Sequence, residues 1–563
     1  MTRFSRVRGV LGAVLGVVLV LTACTEIPRE SEVQSVIPGE VVDEADVDFL
    51  PPGPSAGQTP EEILQGFIAA GTAAQNNYRV ARSYLAESIS EEWNPNQGVL
   101  IRAGEARIEP LEDNRLLYSV PVLASVDDAG RYTASQSVGV QELEFGLVEE
   151  NGEWRIAEAP AGIVLTEFAF REAFASYRVY YYSADYRELV PDSRWFAVRG
   201  DVLTKIVRAM VEPPTFWLAQ GATVSAFPPG VQLALSPVPI VDGEAQVDLT
   251  EQVLDADDVG RQRLLQQLVV TLQQVSGVSG VTVTVDQVPL AIKPLGDVGP
   301  TIASGRDPRT LVLRGSEFGW LQAGRIERIE GVSSVLVELE PRLVVYSPQL
   351  QQAAAVNDEG MWLIDSDDAE ARLLDERESL IRPTIDSCGF IWSHTASVSD
   401  DGLRIYRPGG DFSTLTLELP AESTVVSLEI ARDNTRLALL VQSAAGVRVL
   451  LVAVERDEGC APVRFGEFLE LGPLPGRGVD AAWVDDGHLA VVVRQDTLGE
   501  VFLLDVNGRS ETLGRPSAPV ALVGGVGGVV GLRLINDQGV LFQPRGNGWQ
   551  ATGDRADVLA TQR

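Results

Sequence analysis

Asn357-Asp358-Glu359-Gly360-Met361-Trp362-Leu363-Ile364 is an acidic turn that runs straight into an apolar strand. The pattern recurs. Asp400-Asp401-Gly402 precedes Leu403 and Ile405, Asp485-Asp486-Gly487 precedes His488 and Leu489, and Asn536-Asp537-Gln538-Gly539 precedes Val540 to Phe542. Gly360 and Gly402 stand 42 positions apart, and Gly487 and Gly539 stand 52 apart. The 85 positions from Gly402 to Gly487 make two periods, with Asp433-Asn434 in the gap. Four short strands in a period of about 40 to 50 residues is the pattern of a propeller blade. Residues 305–560 are therefore expected to form an all-β propeller of about five to seven blades. The competing reading is a β-sandwich, or two sheets, with unrelated acidic turns.

Upstream, residues 171–295 mix strands and helices. Val179-Tyr180-Tyr181-Tyr182 opens the unit, and Asp242-Gly243 reads as a hairpin turn with Val247 and Leu249 on the strand after it. Leu264, Leu268 and Leu272 form a helical core stripe, and Val278 to Val285 reads as a closing strand. Residues 59–170 begin with Thr59-Pro60-Glu61-Glu62, a capping box with proline at the first helical position. Ile63, Leu64, Phe67 and Ile68 share one helical face, and Val80, Ala81, Tyr84 and Leu85 suggest a second helix. Val120, Val122, Ala124 and Val126 alternate before the turn Asp127-Asp128-Ala129-Gly130. Leu143, Phe145 and Leu147 alternate before Asn151-Gly152, which leads into Trp154 and Ile156. The fold class expected is thus multidomain: two α+β domains followed by the propeller. The first looks like the NTF2-like folds in order and length of elements.

The first 58 residues carry an address and a spacer. Arg3, Arg6 and Arg8 precede an apolar run from Val10 to Leu21, which is shorter than the roughly 20 residues a bilayer-crossing helix needs. Residues 1–23 read as a secretory signal. Leu21-Thr22-Ala23-Cys24 resembles the bacterial lipobox, in which the cysteine thiol is acylated and becomes the new terminus. Cys24 is therefore the expected lipidation site, placing the chain on the extracytoplasmic face of the cell membrane; a plain signal peptide is the alternative. Residues 24–58 hold Pro28, Pro38, Pro51, Pro52 and Pro54 and many acids against the single base Arg29. Such a segment cannot bury enough apolar surface to fold and is expected to be an extended tether.

Composition bounds the function. A chain of 563 residues with 45% apolar residues holds several cores. A net charge of −34 argues against nucleic acid and against spreading on anionic lipid. Lys205 and Lys293 are the only lysines, and neither follows a glycine, so no phosphate loop exists. His394 and His488 fall on expected strands and lack metal-ligand spacing. Gly53-Pro54-Ser55-Ala56-Gly57 matches a nucleophile elbow by letter, but no strand precedes it. No catalytic residue, metal site or cofactor is expected, and the ligand-binding residues stay unassigned. Cys388 and Cys460 remain after Cys24; they pair as a disulfide in an oxidising compartment, or stay as two buried thiols.

Two resemblances follow. Leu189-Val190-Pro191, Phe227-Pro228-Pro229-Gly230, Asp242-Gly243, Val247-Asp248-Leu249 and the helix around Leu268 resemble the GerM-type domain of bacterial envelope proteins. The whole order, from the lipobox through Pro51-Pro52-Gly53-Pro54, Gly66-Phe67, Ala81-Arg82-Ser83-Tyr84-Leu85 and Trp93 to a terminal propeller, resembles the actinobacterial LpqB lipoprotein family. That resemblance implies a non-enzymatic accessory to the MtrA–MtrB two-component system, acting on the external domain of the MtrB sensor kinase in envelope homeostasis and cell division. The alternative is an envelope protein that binds cell-wall glycan, or a hydrolase, using the propeller face.

Overall fold

Thr59 holds an extended backbone and starts helix α1 (Pro60–Ala70). Its hydroxyl accepts from the Glu62 N–H at 3.3 Å, and the Glu62 carboxylate accepts from the Thr59 N–H at 2.7 Å. Two N–H groups that the helix leaves unpaired are thereby satisfied. The computed structural model describes residues 51–563 apart from 220, 297–298, 301–306, 398–401, 421 and 507. Residues 51–58, in the segment read as tether, lie beside α1, where the Tyr84 hydroxyl donates to the Pro52 carbonyl at 2.9 Å.

Helix α2 (Gln75–Arg82) is shorter than its apolar spacing suggests. Tyr84 and Leu85, expected on it, lie past its end. The Tyr84 carbonyl accepts from the Ile156 N–H at 3.0 Å and the Ile156 carbonyl from the Ala86 N–H at 2.8 Å. These backbone groups find partners in a strand, so the helix has no reason to continue. That strand, β5 (Glu153–Glu158), follows β1 (Gly98–Arg102), β2 (Arg107–Pro110), β3 (Arg115–Asp127) and β4 (Tyr132–Glu150). With β6 (Ile163–Thr166) they form a six-stranded sheet, ordered β5-β4-β3-β1-β6 with β2 on β3. Alternation on β3 buries Val120, Val122, Ala124 and Val126, which face α1 through Phe67 and Phe145. Asn151 (φ 54°) and Gly152 (φ 82°) make the β4–β5 turn with the left-handed pair a tight hairpin needs.

In the second unit β7 (Phe174–Ser183) and β8 (Leu189–Ala197) pair antiparallel, with β9 (Thr223–Val224) on the other side of β7. A second sheet joins β10 (Ile240–Val241), β11 (Glu244–Asp248), β12 (Gly280–Val285) and β13 (Val288–Pro289). The parallel step from β11 to β12 is made through helix α3 (Asp258–Leu272), whose Leu264, Leu268 and Leu272 are fully buried. The expected closing strand starts at Gly280 rather than Val278.

The propeller has six four-stranded blades among the described residues. Its inner strands are Val558–Gln562, Leu343–Ser347, Thr384–Ile385, Thr424–Ile430, Arg477–Trp483 and Pro519–Val523. Each touches the next, and the ring closes where Val558–Gln562 meets Leu343–Ser347. The strand that completes the first blade therefore comes from the far end of the chain, pairing Leu311 with Ala560. The acidic turns do not share one phase. Those ending at Gly360 and Gly539 join second to third strands, whereas Asp433-Asn434 and Asp485-Asp486-Gly487 join first to second strands. These positions lie at opposite ends of a blade, which is why the spacings run unevenly. Asp400 and Asp401 lie outside the described residues.

Candidate functional site

Where many propellers leave a hole, this one carries charge. Arg382 donates to Asp480 through two nitrogens, at 2.6 and 3.0 Å, and lies 3.3 Å from a Glu429 oxygen. The other Glu429 oxygen is 3.6 Å from Arg563. All four side chains are at most 9% exposed. Asp480 also accepts from the Ser427 hydroxyl at 3.1 Å and the Leu522 N–H at 2.8 Å. Arg563 donates through its side chain to the carbonyls of Ile385 (3.1 Å) and Ala431 (3.3 Å), and its N–H donates to Tyr346 (2.9 Å). Every blade thus contributes an atom to one network on the inner strands. Two cations and two anions compensate each other there, as burial of charge requires. The arrangement ties the ring together across its blades.

The sequence-predicted residues lie elsewhere. Cys388 is in the turn between the first and second strands of the third blade, and Cys460 is in the turn between the third and fourth strands of the fourth. Both turns are at the same end of the ring, and the structure joins them in a disulfide with Cα atoms 6.4 Å apart. An ion pair between Asp386 and Arg456, 2.9 Å apart, links the same two turns. His394 is buried, its Nδ1 against the Thr395 carbonyl, and burial holds its pKa down. Ser55 stands before α1, and no strand precedes it among the described residues, which begin at Pro51. Among the described residues no group of three or more His, Cys, Asp and Glu is arranged to hold a metal ion, and no helix is long and apolar enough to cross a membrane. Cys24 lies outside the described residues.

The three units are locked to one another. The β3–β4 turn docks on the second unit: the Gly130 carbonyl accepts from the Trp195 N–H at 2.7 Å, and the Ala129 carbonyl accepts from Arg194 at 3.1 Å. Beside this contact a cleft of about 680 Å³ opens between the first and second units. Its wall carries Asp127, Asp128 and Asp201 against Arg131, Lys205 and Arg208. Lys205 spans it, donating to the Asn96 side chain at 3.0 Å, and burial pulls its pKa down. Mixed charge of this kind suits a polar contact and offers no nucleophile paired with a base.

The second unit meets the propeller through Trp217 and Leu218, which are buried with Ala453, Leu471 and Val491. Around that apolar patch stand ionisable groups. Arg178 pairs with Asp485 at 3.0 Å, and Asp485 accepts from His488 at 2.9 Å, with Asp505 3.8 Å from the other imidazole nitrogen. Burial opposes the charge on Asp485, but His488, the Gly487 N–H and Arg178 hold its carboxyl down at about 2. The hydrogen bond with Asp485 raises the pKa of His488 despite burial. Glu188 is pushed up to about 7 by burial and by Asp433 and Asp185, against the pull of Arg456 and Arg187. Both raised groups bind more protons folded than unfolded. Stability therefore falls as pH rises, from 4.5 to about 7 through Glu188 and above 6.5 through His488. Buried His394 acts the other way below 6.5, so the check is a difference: in denaturant unfolding at pH values from about 5 to about 9, the parent should lose stability relative to Glu188→Gln as pH rises to about 7. A Glu188→Gln profile that overlays the parent profile would remove Glu188 from the account.

Three family models match the chain in succession: the N-terminal domain of lipoprotein LpqB over residues 53–171, a sporulation and spore germination domain over 178–291, and the LpqB β-propeller domain over 310–558. Lipoprotein LpqB of Bifidobacterium longum is 25% identical, over 81% of this chain and 80% of that protein. Lipoprotein LpqB of Mycobacterium bovis is 24% identical, over 87% of each. Among solved structures, the tandem GerMN domains of the sporulation protein GerM from Bacillus subtilis align at 15% identity over 34% of this chain and 59% of that one, with a TM-score of 0.19. By the order of its three domains and by relatives that span most of its length, the chain belongs to the LpqB lipoprotein family.

Proposed function

We propose that this chain is an accessory lipoprotein, anchored by acyl groups on Cys24 at the extracytoplasmic face of the cell membrane. In this reading it binds the external domain of the MtrB sensor kinase and adjusts MtrA–MtrB signalling, without catalysing a reaction. The observation that carries the proposal is the axial network. It spends the buried charges of the inner strands on one another and joins all six blades, and the outer surfaces of the three units remain for protein recognition. Large surfaces without a convergent catalytic cluster suit recognition better than turnover. The net charge of −34 calls for a partner with a basic face and for association that slows as salt rises.

Anchoring both proteins to one membrane raises their effective concentration, so a weak interface suffices. Acylation adds about 0.8 kcal/mol per buried methylene, and two or three chains hold a body firmly. Cys24→Ser should therefore yield a folded chain that is unprocessed or released, and one that fails to complement a deletion at native abundance. Fractionation and growth of the complemented strain check both. Full complementation by a released chain would show that tethering is unnecessary, and unchanged membrane retention with normal signal removal would remove Cys24 as the anchor.

A further inference from the structure

The first unit contains a cavity of about 380 Å³ on the face of its sheet that turns toward α1. Its size lies within the range of small-molecule sites, about 300–1,000 Å³. Phe67 of α1, Trp93, Val99 of β1, Phe145 of β4 and Ile163 of β6 form the wall, and all five are buried. The wall is stiff. Phe67 meets Trp93 edge-on with ring centres 5.0 Å apart and Phe145 at 6.1 Å, and the Trp93 indole N–H is already committed to the Pro160 carbonyl at 3.0 Å. Gly162 (φ 88°) stands where a Cβ would lie 2.6 Å from the Gly98 carbonyl oxygen, so two backbone segments close one side of the cavity at a spacing only glycine allows.

The polar groups of the lining narrow the ligand. Gln97, Ser125 and Gln141 contribute neutral amides and a hydroxyl. No lysine or arginine is among the described residues that line the cavity. The one charge, Asp127, is engaged by the Arg131 N–H at 2.8 Å and its guanidinium at 3.4 Å. An anionic head would meet no counter-charge here and would face a chain of net charge −34. The cavity is open to solvent, with the exposed Gln97 and Gln141 at its mouth and the buried aromatic wall behind them, the layout of a small-molecule site.

We infer that this cavity binds an uncharged, chiefly aliphatic lipid whose hydroxyl or amide head meets Gln97 and Gln141. The site does not depend on the kinase-binding reading. Two sources offer this chemistry: a free neutral lipid, and the acyl chain carried by Cys24 of the same chain.

The test is photolabelling of the full chain on phosphatidylcholine vesicles with a diazirine-bearing hexadecanol, followed by peptide mapping. Labels are expected on the peptides carrying Trp93, Phe145 and Ile163. Unlabelled hexadecanol should compete about tenfold better than hexadecanoate. Leu143, partly buried on β4, lines the cavity, so Leu143→Trp should cut labelling of these peptides about tenfold by filling it. Gln141 is exposed on the same strand, and Gln141→Glu should lower labelling severalfold with an unchanged circular dichroism spectrum. This second variant decides the matter if Leu143→Trp does not fold. The Cys24→Ser chain, compared with the parent after both are dissolved with the probe in the same detergent so that membrane retention plays no part, separates the sources: stronger labelling means that the chain's own acyl group competes for the cavity, and equal labelling means a free lipid. Labels scattered over the surface, or hexadecanoate competing as well as hexadecanol, would overturn the inference. Labelling that a folded Leu143→Trp chain leaves unchanged would overturn it too.

Discussion

Asp480→Ala should lower the stability of the propeller by about 3–5 kcal/mol, the usual cost of breaking a buried ion pair from one side. The reason is specific to the network. With Asp480 gone, Arg382 and Arg563 are left to share the single carboxylate of Glu429, and a net positive charge stays buried among the inner strands. The Leu522 N–H and the Ser427 hydroxyl lose their acceptor as well. Ser427→Ala removes one hydrogen bond to the same carboxylate and should cost about 1 kcal/mol. The double change Arg382→Met with Asp480→Leu removes both charges and should recover much of the loss, because well-packed apolar pairs replace buried ion pairs at little cost. Denaturant midpoints of the three variants check this order. Asp480→Ala within about 1 kcal/mol of the parent would mean that the network contributes little to closing the ring.

Removal of the Cys388–Cys460 bridge is the second large effect expected. The bridge closes a loop with a sequence separation of 72 residues, and a cross-link of that span stabilises by about 4 kcal/mol in a chain-entropy account. The folded state should change little, because other bonds hold the same two turns. Arg456 pairs with Asp386, donates to the Cys460 carbonyl at 2.8 Å and donates to the Asn434 carbonyl at 2.9 Å. The Ser387 N–H in turn donates to the Asn434 side chain at 3.1 Å. A Cys388→Ser, Cys460→Ser chain should keep its near-ultraviolet dichroism and unfold at markedly lower denaturant, and a reduced parent should behave like it. An unshifted midpoint would show that the unfolded chain gains no freedom when the bridge is cut. Two free thiols in protein exported from its native host would show that the bridge does not form there.

Local signals carried much of this architecture in the sequence. The capping box at Thr59, the Asn151-Gly152 and Asp242-Gly243 turns and the Leu264-Leu268-Leu272 stripe each rest on short-range geometry, and each is found where it was expected. The helix over Tyr84 and Leu85 was misread because its spacing is helical while its hydrogen bonds are not. Partners in β5, some 70 positions away, decide the conformation. The blade repeat was visible, but its phase was not, since turns at either end of a strand use the same acidic residues.

The axial network was hidden by abundance. In a chain with 79 acidic residues, Glu429 and Asp480 draw no notice. A finer signal was present. Each stands alone inside an apolar strand, as Leu428-Glu429-Ile430 and Val479-Asp480-Ala481, where a carboxylate must be compensated. Their partner Arg382 sits in a charged stretch from Asp375 to Arg382 that reads as an ordinary loop. The cavity in the first unit was not legible either, because its lining is built from five separate segments whose apolar residues read as core.

The claim that this lipoprotein works by binding the external part of a sensor kinase is tested most directly by measuring association rates between the two. The full chain and the kinase, each in its native anchored form, should be placed in one nanodisc or vesicle population, and the salt concentration varied. The account predicts modest affinity, an association rate that falls steeply with ionic strength, and a marked weakening when Cys24→Ser releases one partner from the membrane. No association at low salt with both anchors intact would contradict it.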